Sequence, residues 1–513
     1  MITTLDLAIV SIFVLVVLAG GFVVQYVKKV KTHLTFIVTA SQAPWFIVMG
    51  LLAAEMIHGG QTVGYMGWVQ LFGISALWYL IIIALGFLWQ IPLAVKIRKE
   101  ELKTIPEIIE KYMDAKCAII VGLVNIFFYI TVLGAVCYLS FAAFAEPLFG
   151  WPAWFSMLLI AVVCVVYSGT AGLWSIGWLN FIQYLVIIVG VCLAGYFGVT
   201  AAGGWGQMTA ALPAGFWDMT PGPVGVGFIT LMIIFFWFFG YMIWAGTNRS
   251  LMSGKTPKAT ATGAIGATLG YIPFLIGITV CGIAAYVLLW QPGLITNPDM
   301  ALPVLLRDYV PTGVSGLAMA AVLAAMITTA ANCLFASGTT ISYDFVHKHI
   351  KRDASDRYLI WLARVFMAVL AFAWLAVTLW WRPLVLEGLM FAYAVAAGGI
   401  IMPAFFTLLE HAWGRTQKTL LTTGGFFWGV LVGFAVGLGY YLFLRDITWA
   451  CQYGAFASAV VSLGLSAVQR AQGGGRKTDE PPKSTEWAVK LTAILTVIFL
   501  FALVALRTSG MIY

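Results

Sequence analysis

Charge is scarce in this chain. Only 9% of its 513 residues are Asp, Glu, Lys or Arg, while 62% are hydrophobic. A soluble fold of this length would need far more charge to cover its surface. The seven Cys (Cys117, Cys137, Cys164, Cys192, Cys281, Cys333 and Cys451) are scattered, and no CxxC occurs. The five His are equally dispersed, with only His347 and His349 close together. These gaps argue against a disulfide framework and against a transition-metal site. No stretch reads as a soluble catalytic domain, so the expectation is a protein that is not an enzyme and has no cofactor. The net charge of +8 is not a nucleic-acid signal, because the basic residues sit in short loops between apolar runs.

Long apolar runs are what the chain has in abundance. A bilayer-spanning helix needs roughly 20 apolar residues. Spans are expected at 5–27, 44–67, 71–95, 118–145, 152–170, 173–197, 224–246, 261–290, 314–345, 358–380, 384–409, 419–443, 448–469 and 486–506. The class is therefore an all-α polytopic membrane protein with about fourteen transmembrane helices, set in the lipid bilayer as one transmembrane domain over 1–513.

The loops then alternate in charge. Four of the 28 Lys and Arg (Arg307, Arg382, Arg445 and Arg507) fall on one side, and the rest fall on the other. Basic loops stay in the cytoplasm, which places both termini outside. Lys28, Lys29 and Lys31 follow the first apolar run instead of preceding it, unlike a cleaved signal. Segment 96–116 is amphipathic and should lie at the cytoplasmic surface. Segment 471–485 reads as a linker. The outside stretches 202–223 and 291–313 have the length to cap an outward cavity.

Polar groups inside spans are costly, so each needs a reason. In the second span Glu55 is followed by His58, Gly59, Gly60 and Gln61. A Gly pair beside polar groups suits a discontinuous helix, whose freed carbonyls can coordinate a cation where they line a cavity. It also suits a kinked packing helix. In the ninth span Thr328 and Thr329 follow the small residues Ala324 and Ala325. Such hydroxyls either bond their own preceding turn or offer oxygens to a hard monovalent cation. Tyr167 to Gln183 forms a Gly-containing turn opening the sixth span, with Asn180 and Gln183 behind it. Trp237, Tyr241 and Trp244 cluster near Gly240 and Gly246, and Phe391 and Tyr393 precede Gly398 and Gly399. Aromatics of this kind stack on a solute or fill a bundle. Arg249, at the cytoplasmic end of its span, reads as a topological charge.

These stretches, in this order, resemble the sodium:solute symporter family, which includes bacterial proline and pantothenate carriers and sodium–glucose transporters. The resemblance runs from about residue 5 to 470. Its most specific piece is Leu323 to Lys348, followed by Tyr167 to Gln183 and Trp45 to Gly67. It implies a LeuT-type 5+5 inverted repeat, with repeats at 44–197 and 224–409, an extra helix at 5–27 and three further helices at 419–506. It implies a secondary active transporter that imports a small organic solute with sodium by alternating access. The implied location is the plasma membrane, as a bacterial inner membrane. The family's sodium site carries over to Ala54, Ile57, Ala325, Thr328 and Thr329. Solute residues would gather around His58, Gly59 and Gln61, with Trp244 and Tyr393.

Two departures stand out. Asn180 replaces an acidic residue that the family associates with cation binding or release. Glu55 and His58 are unusual in the broken helix. Glu55 is thus a candidate for restoring the lost carboxylate. Alternatively, Glu55 and His58 carry a proton, His being the side chain that titrates near neutral pH, and the carrier is proton-coupled. The third reading is a transport-incompetent solute sensor or scaffold. The chain ends at Tyr513 without a kinase domain, which argues against a self-contained sensor.

Overall fold

A computed structural model of the chain describes residues 2–28, 31–219, 223–238, 240–413 and 420–472. Among these residues there is no β-strand, only an isolated bridge between Ala43 and Gly254. Among the described residues eleven helices are long and apolar enough to cross a membrane, and two shorter apolar helices are Trp45–Met56 and Gly225–Trp237. The expected last span at 486–506 and most of the linker before it lie outside the described residues.

The helices form a core wrapped by a rim. In the most apolar window of Val314–Ile350, 89% of residues are buried, against 11% for Thr4–Lys28. The ninth expected span therefore runs through the middle, and the first lies along the apolar edge. Lipid offers apolar side chains no contrast, so close packing between small residues must hold such helices together. The central helix is accordingly rich in Ala, Gly and Ser. A Cβ on Gly50 would fall 2.6 Å from the Phe181 backbone nitrogen, so glycine lets the second span press directly onto the sixth. Asp6 fastens the rim helix to the core. Its Oδ1 accepts from the Gly313 and Gly316 amides at 2.8 and 2.9 Å, capping the central helix at its otherwise unpaired N-terminal donors.

Spans five and six run together as Ala153–Ala201, bent at Gly172, whose φ of 59° is one that side-chain-bearing residues avoid. The second span is interrupted after Met56 and resumes through a π-turn at Gly60–Gly64. The seventh is interrupted after Trp237 and resumes at Ala245–Met252. Within the amphipathic segment 96–116, Ile105–Tyr112 is helical, with Ile105, Ile108 and Ile109 turned inward.

One expectation is corrected. Arg249 is not merely a topological charge at a loop. It is buried, and its guanidinium pairs with Asp344 at 3.0 Å. It also donates to the Ala336 carbonyl at 2.9 Å and to Thr340 at 2.8 Å. Thr104 donates to Asp344 from the other side at 2.5 Å. A charge near a span end looks the same in sequence whether it faces water or a partner brought in from the far end of another helix.

Candidate functional site

The two helix breaks meet the central helix, and each frees backbone groups that need partners in a dry interior. The second break is closed by side-chain amides. Gln90 donates to the Phe236 carbonyl at 2.7 Å and accepts from the Met242 amide at 2.8 Å. Asn125 donates to the Ile243 carbonyl at 3.2 Å and accepts from the Ala245 amide at 2.6 Å. An amide that gives and receives at once is a fixed latch. In the sequence Gln90 and Asn125 carry only one signal, that of a polar residue within an apolar run.

The first break is closed differently. Thr329 donates to the Ala54 carbonyl at 2.6 Å and lies 3.4 Å from that of Ile57. Thr328 donates to the Ala325 carbonyl within its own helix at 3.2 Å. Asn332, one turn on, reaches the Leu51 carbonyl at 3.4 Å. Thr329 therefore reaches the Ala54 and Ile57 carbonyls where the broken helix touches the central one, while the Thr328 hydroxyl and the Ala325 carbonyl pair with each other within the central helix. A hydroxyl, unlike an amide latch, can turn its lone pairs toward a cation while the carbonyls it released do the same.

Beside this group is a small cavity of about 20 Å³, lined in part by Glu55, His58, Tyr129, Trp244, Thr247 and Tyr393. Glu55 lies in the last turn of Trp45–Met56 next to Ala54, and His58 follows just past the break. Aromatic rings wall the cavity, with Trp244 stacked on Phe128 at 3.8 Å and Tyr393 on Phe235 at 4.0 Å between centroids. His58 Nδ1, Trp244 Nε1, Thr247 Oγ1 and Glu55 Oε1 are buried without a well-directed hydrogen bond. Orphaned polar atoms around one cavity are what a ligand site leaves when nothing fills it.

The remaining expected residues sit elsewhere. Gly59 packs against the Val136 carbonyl and Ser140. Gln61 accepts from the Tyr271 hydroxyl at 3.2 Å. Asn180 accepts from Tyr167 at 3.2 Å, and Gln183 donates to the same hydroxyl at 3.2 Å. Asn180 thus belongs to a separate neutral cluster.

Comparison with known proteins adds the following. A family model described as the sodium:solute symporter family matches residues 36–433. The chain is 27% identical to a sodium/glucose cotransporter of Vibrio parahaemolyticus, over 86% of this chain and 85% of that one. It is 22% identical to sodium/glucose cotransporter 4 of Danio rerio, over 84% of this chain and 71% of that one. Its fold is similar to that of a Na+-coupled sialic acid symporter solved in a substrate-bound outward-open state. The TM-score is 0.74 at 16% identity, covering 91% of this chain and 98% of that one.

Proposed function

The chain belongs to the sodium:solute symporter family, and on that premise we propose that it imports a small organic solute with sodium bound at the first helix break. It is a multi-pass membrane protein and a sodium-coupled secondary transporter of a solute. The observation that carries the site is the Thr329 hydroxyl, held between the Ala54 and Ile57 carbonyls of the interrupted helix. Sodium is a hard ion that takes oxygen ligands, and Thr328 and the Ala325 carbonyl bring the set to five.

Sodium in that position ties the broken helix to the central helix. Its arrival favours the state in which they touch, and its departure lets them part, which is what alternating access around a fixed site requires. The two interrupted helices stand at the head of the segments 44–197 and 224–409, as two inverted five-helix repeats would have them. The basic loops face the cytoplasm in this reading, with fourteen spans and both termini outside.

The solute occupies the neighbouring cavity, against His58, Trp244 and Tyr393, after the aromatic walls separate. Two of the proteins named above are sodium/glucose cotransporters, so sugars head the panel to be tried. The test is uptake of that panel into proteoliposomes under an inward sodium gradient, for wild type and Thr329→Ala. Sodium-driven uptake lost in the variant, with normal insertion, supports the site. Undiminished sodium dependence refutes it.

A further inference from the structure

Glu55 is the one carboxylate lining the cavity beside the first helix break, and the sodium reading leaves it without a task. No ion pair involves it among the described residues. The Tyr129 hydroxyl donates to Oε2 at 3.4 Å. The side chains of Thr247 and Asn332 also face the carboxylate. Oε1 and the Thr247 hydroxyl are both buried without a well-directed hydrogen bond. Gly246 makes this approach possible, because a Cβ there would collide with Glu55 Oε1 and the Tyr129 hydroxyl. A bare glycine where a carboxylate and a phenol converge is a costly choice inside an apolar bundle unless the carboxylate has work to do.

The charge needs an owner. The helix Ala245–Met252 begins beside Glu55 and offers it a partial positive end, equivalent to roughly half a charge. A buried carboxylate does not stay charged and unpaired in the interior, so Glu55 either holds a proton or binds a cation. Before the aromatic walls separate to admit the solute, the cavity of about 20 Å³ has room for a species about the size of one water. Its immediate donors are oxygens: a carboxylate and two hydroxyls. A single carboxylate matches one positive charge rather than two.

We propose that Glu55, with the hydroxyls of Tyr129 and Thr247, forms a second sodium site, one residue along the broken helix from the site at Thr329. The proposal extends the sodium reading and rests on it for the identity of the ion. Two sodium ions would then bridge the same interrupted helix to different neighbours. One reaches the central helix through Thr329, and the other reaches Ala115–Leu133 and Ala245–Met252 through Tyr129 and Thr247. The second ion thereby links both broken helices, so the solute cavity is complete only with it in place.

The experiment is equilibrium binding of radioactive sodium to the purified full chain, with choline balancing ionic strength and no solute. Wild type should bind two equivalents. Glu55→Gln, which keeps the shape and removes the charge, should bind one. Thr247→Val should keep both but weaken one about tenfold, a loss of about 1.4 kcal/mol, and it guards against a folding defect in the first variant. One equivalent in wild type that Glu55→Gln retains overturns the proposal. So does a wild-type stoichiometry of two that neither variant alters. Thr329→Ala separates the two readings: if it removes no sodium while Glu55→Gln removes one, the Thr329 site fails and the Glu55 site stands.

Discussion

The sharpest consequence of the first helix break concerns Thr329→Val, which keeps the branched shape and deletes only the hydroxyl. Without sodium, that hydroxyl satisfies the Ala54 carbonyl at 2.6 Å and approaches Ile57 at 3.4 Å. Leaving a buried acceptor unpaired costs about 1–3 kcal/mol, so the sodium-free variant should melt below wild type. With sodium, the loss of one ligand in five should weaken binding about tenfold or more, or about 1.4 kcal/mol. At a sodium concentration 100 times the wild-type Kd, binding stabilises the native state by about 2.7 kcal/mol. A tenfold weaker site gains only about 1.4 kcal/mol at the same concentration. The sodium-induced rise in Tm should therefore fall by about half or more.

Thr328→Val is the internal control. Its hydroxyl bonds only the Ala325 carbonyl of its own helix at 3.2 Å, so the sodium-free protein should be nearly as stable as wild type while the sodium response shrinks. The assay is thermal unfolding in detergent across a sodium series at constant ionic strength. A full sodium shift in Thr329→Val, or a sodium-free penalty in Thr328→Val equal to that in Thr329→Val, would refute the reasoning.

The remaining expectations concern two buried carboxylates. Removing one partner of the Arg249–Asp344 pair strands the other in the interior, so Asp344→Leu should destabilise by about 3–5 kcal/mol, while Arg249→Met with Asp344→Leu should recover most of that loss. A double variant no more stable than the single one would show that the pair's further bonds to Thr104, Ala336 and Thr340 outweigh the charges. Asp299, in the stretch 291–313 between spans, is buried, and burial pushes its carboxyl up from 3.8 to about 7, against the opposing Val385 amide bond and with help from Glu387. The folded state then holds the proton better than the unfolded one, so this contribution is present below about pH 4 and is lost as pH rises through about 7. Asp299→Asn keeps an acceptor for Val385 and should flatten the fall in Tm between pH 5 and 8. An unchanged slope would clear Asp299 of the effect.

Much of the architecture was legible in the chain because a bilayer leaves a helix few alternatives. The polar run from Glu55 to Gln61 marked the second span as unusual, and Thr328 with Thr329 marked the ninth. Neither the latches nor the pairings could be read in the same way. Gln90 and Asn125 look like stray amides until the second break, over 100 residues away, supplies donors and acceptors at matching positions. Arg249 looked topological because a span end is where topology puts arginine. Asn180 looked like a participant, and its bond to Tyr167 puts it in a different cluster.

By itself the sequence determined what periodicity and hydropathy can carry: an all-helical membrane protein, the approximate spans among the described residues, and a candidate interruption in the second of them. Those properties are local, since each residue run meets lipid or water on its own. The tertiary structure alone decided which freed carbonyl meets which hydroxyl, which amides latch the second break, and that Glu55 faces Tyr129 and Thr247. Such pairings depend on helix rotation and on approach distances set by single glycines such as Gly50 and Gly246, and spacing along one chain does not encode either.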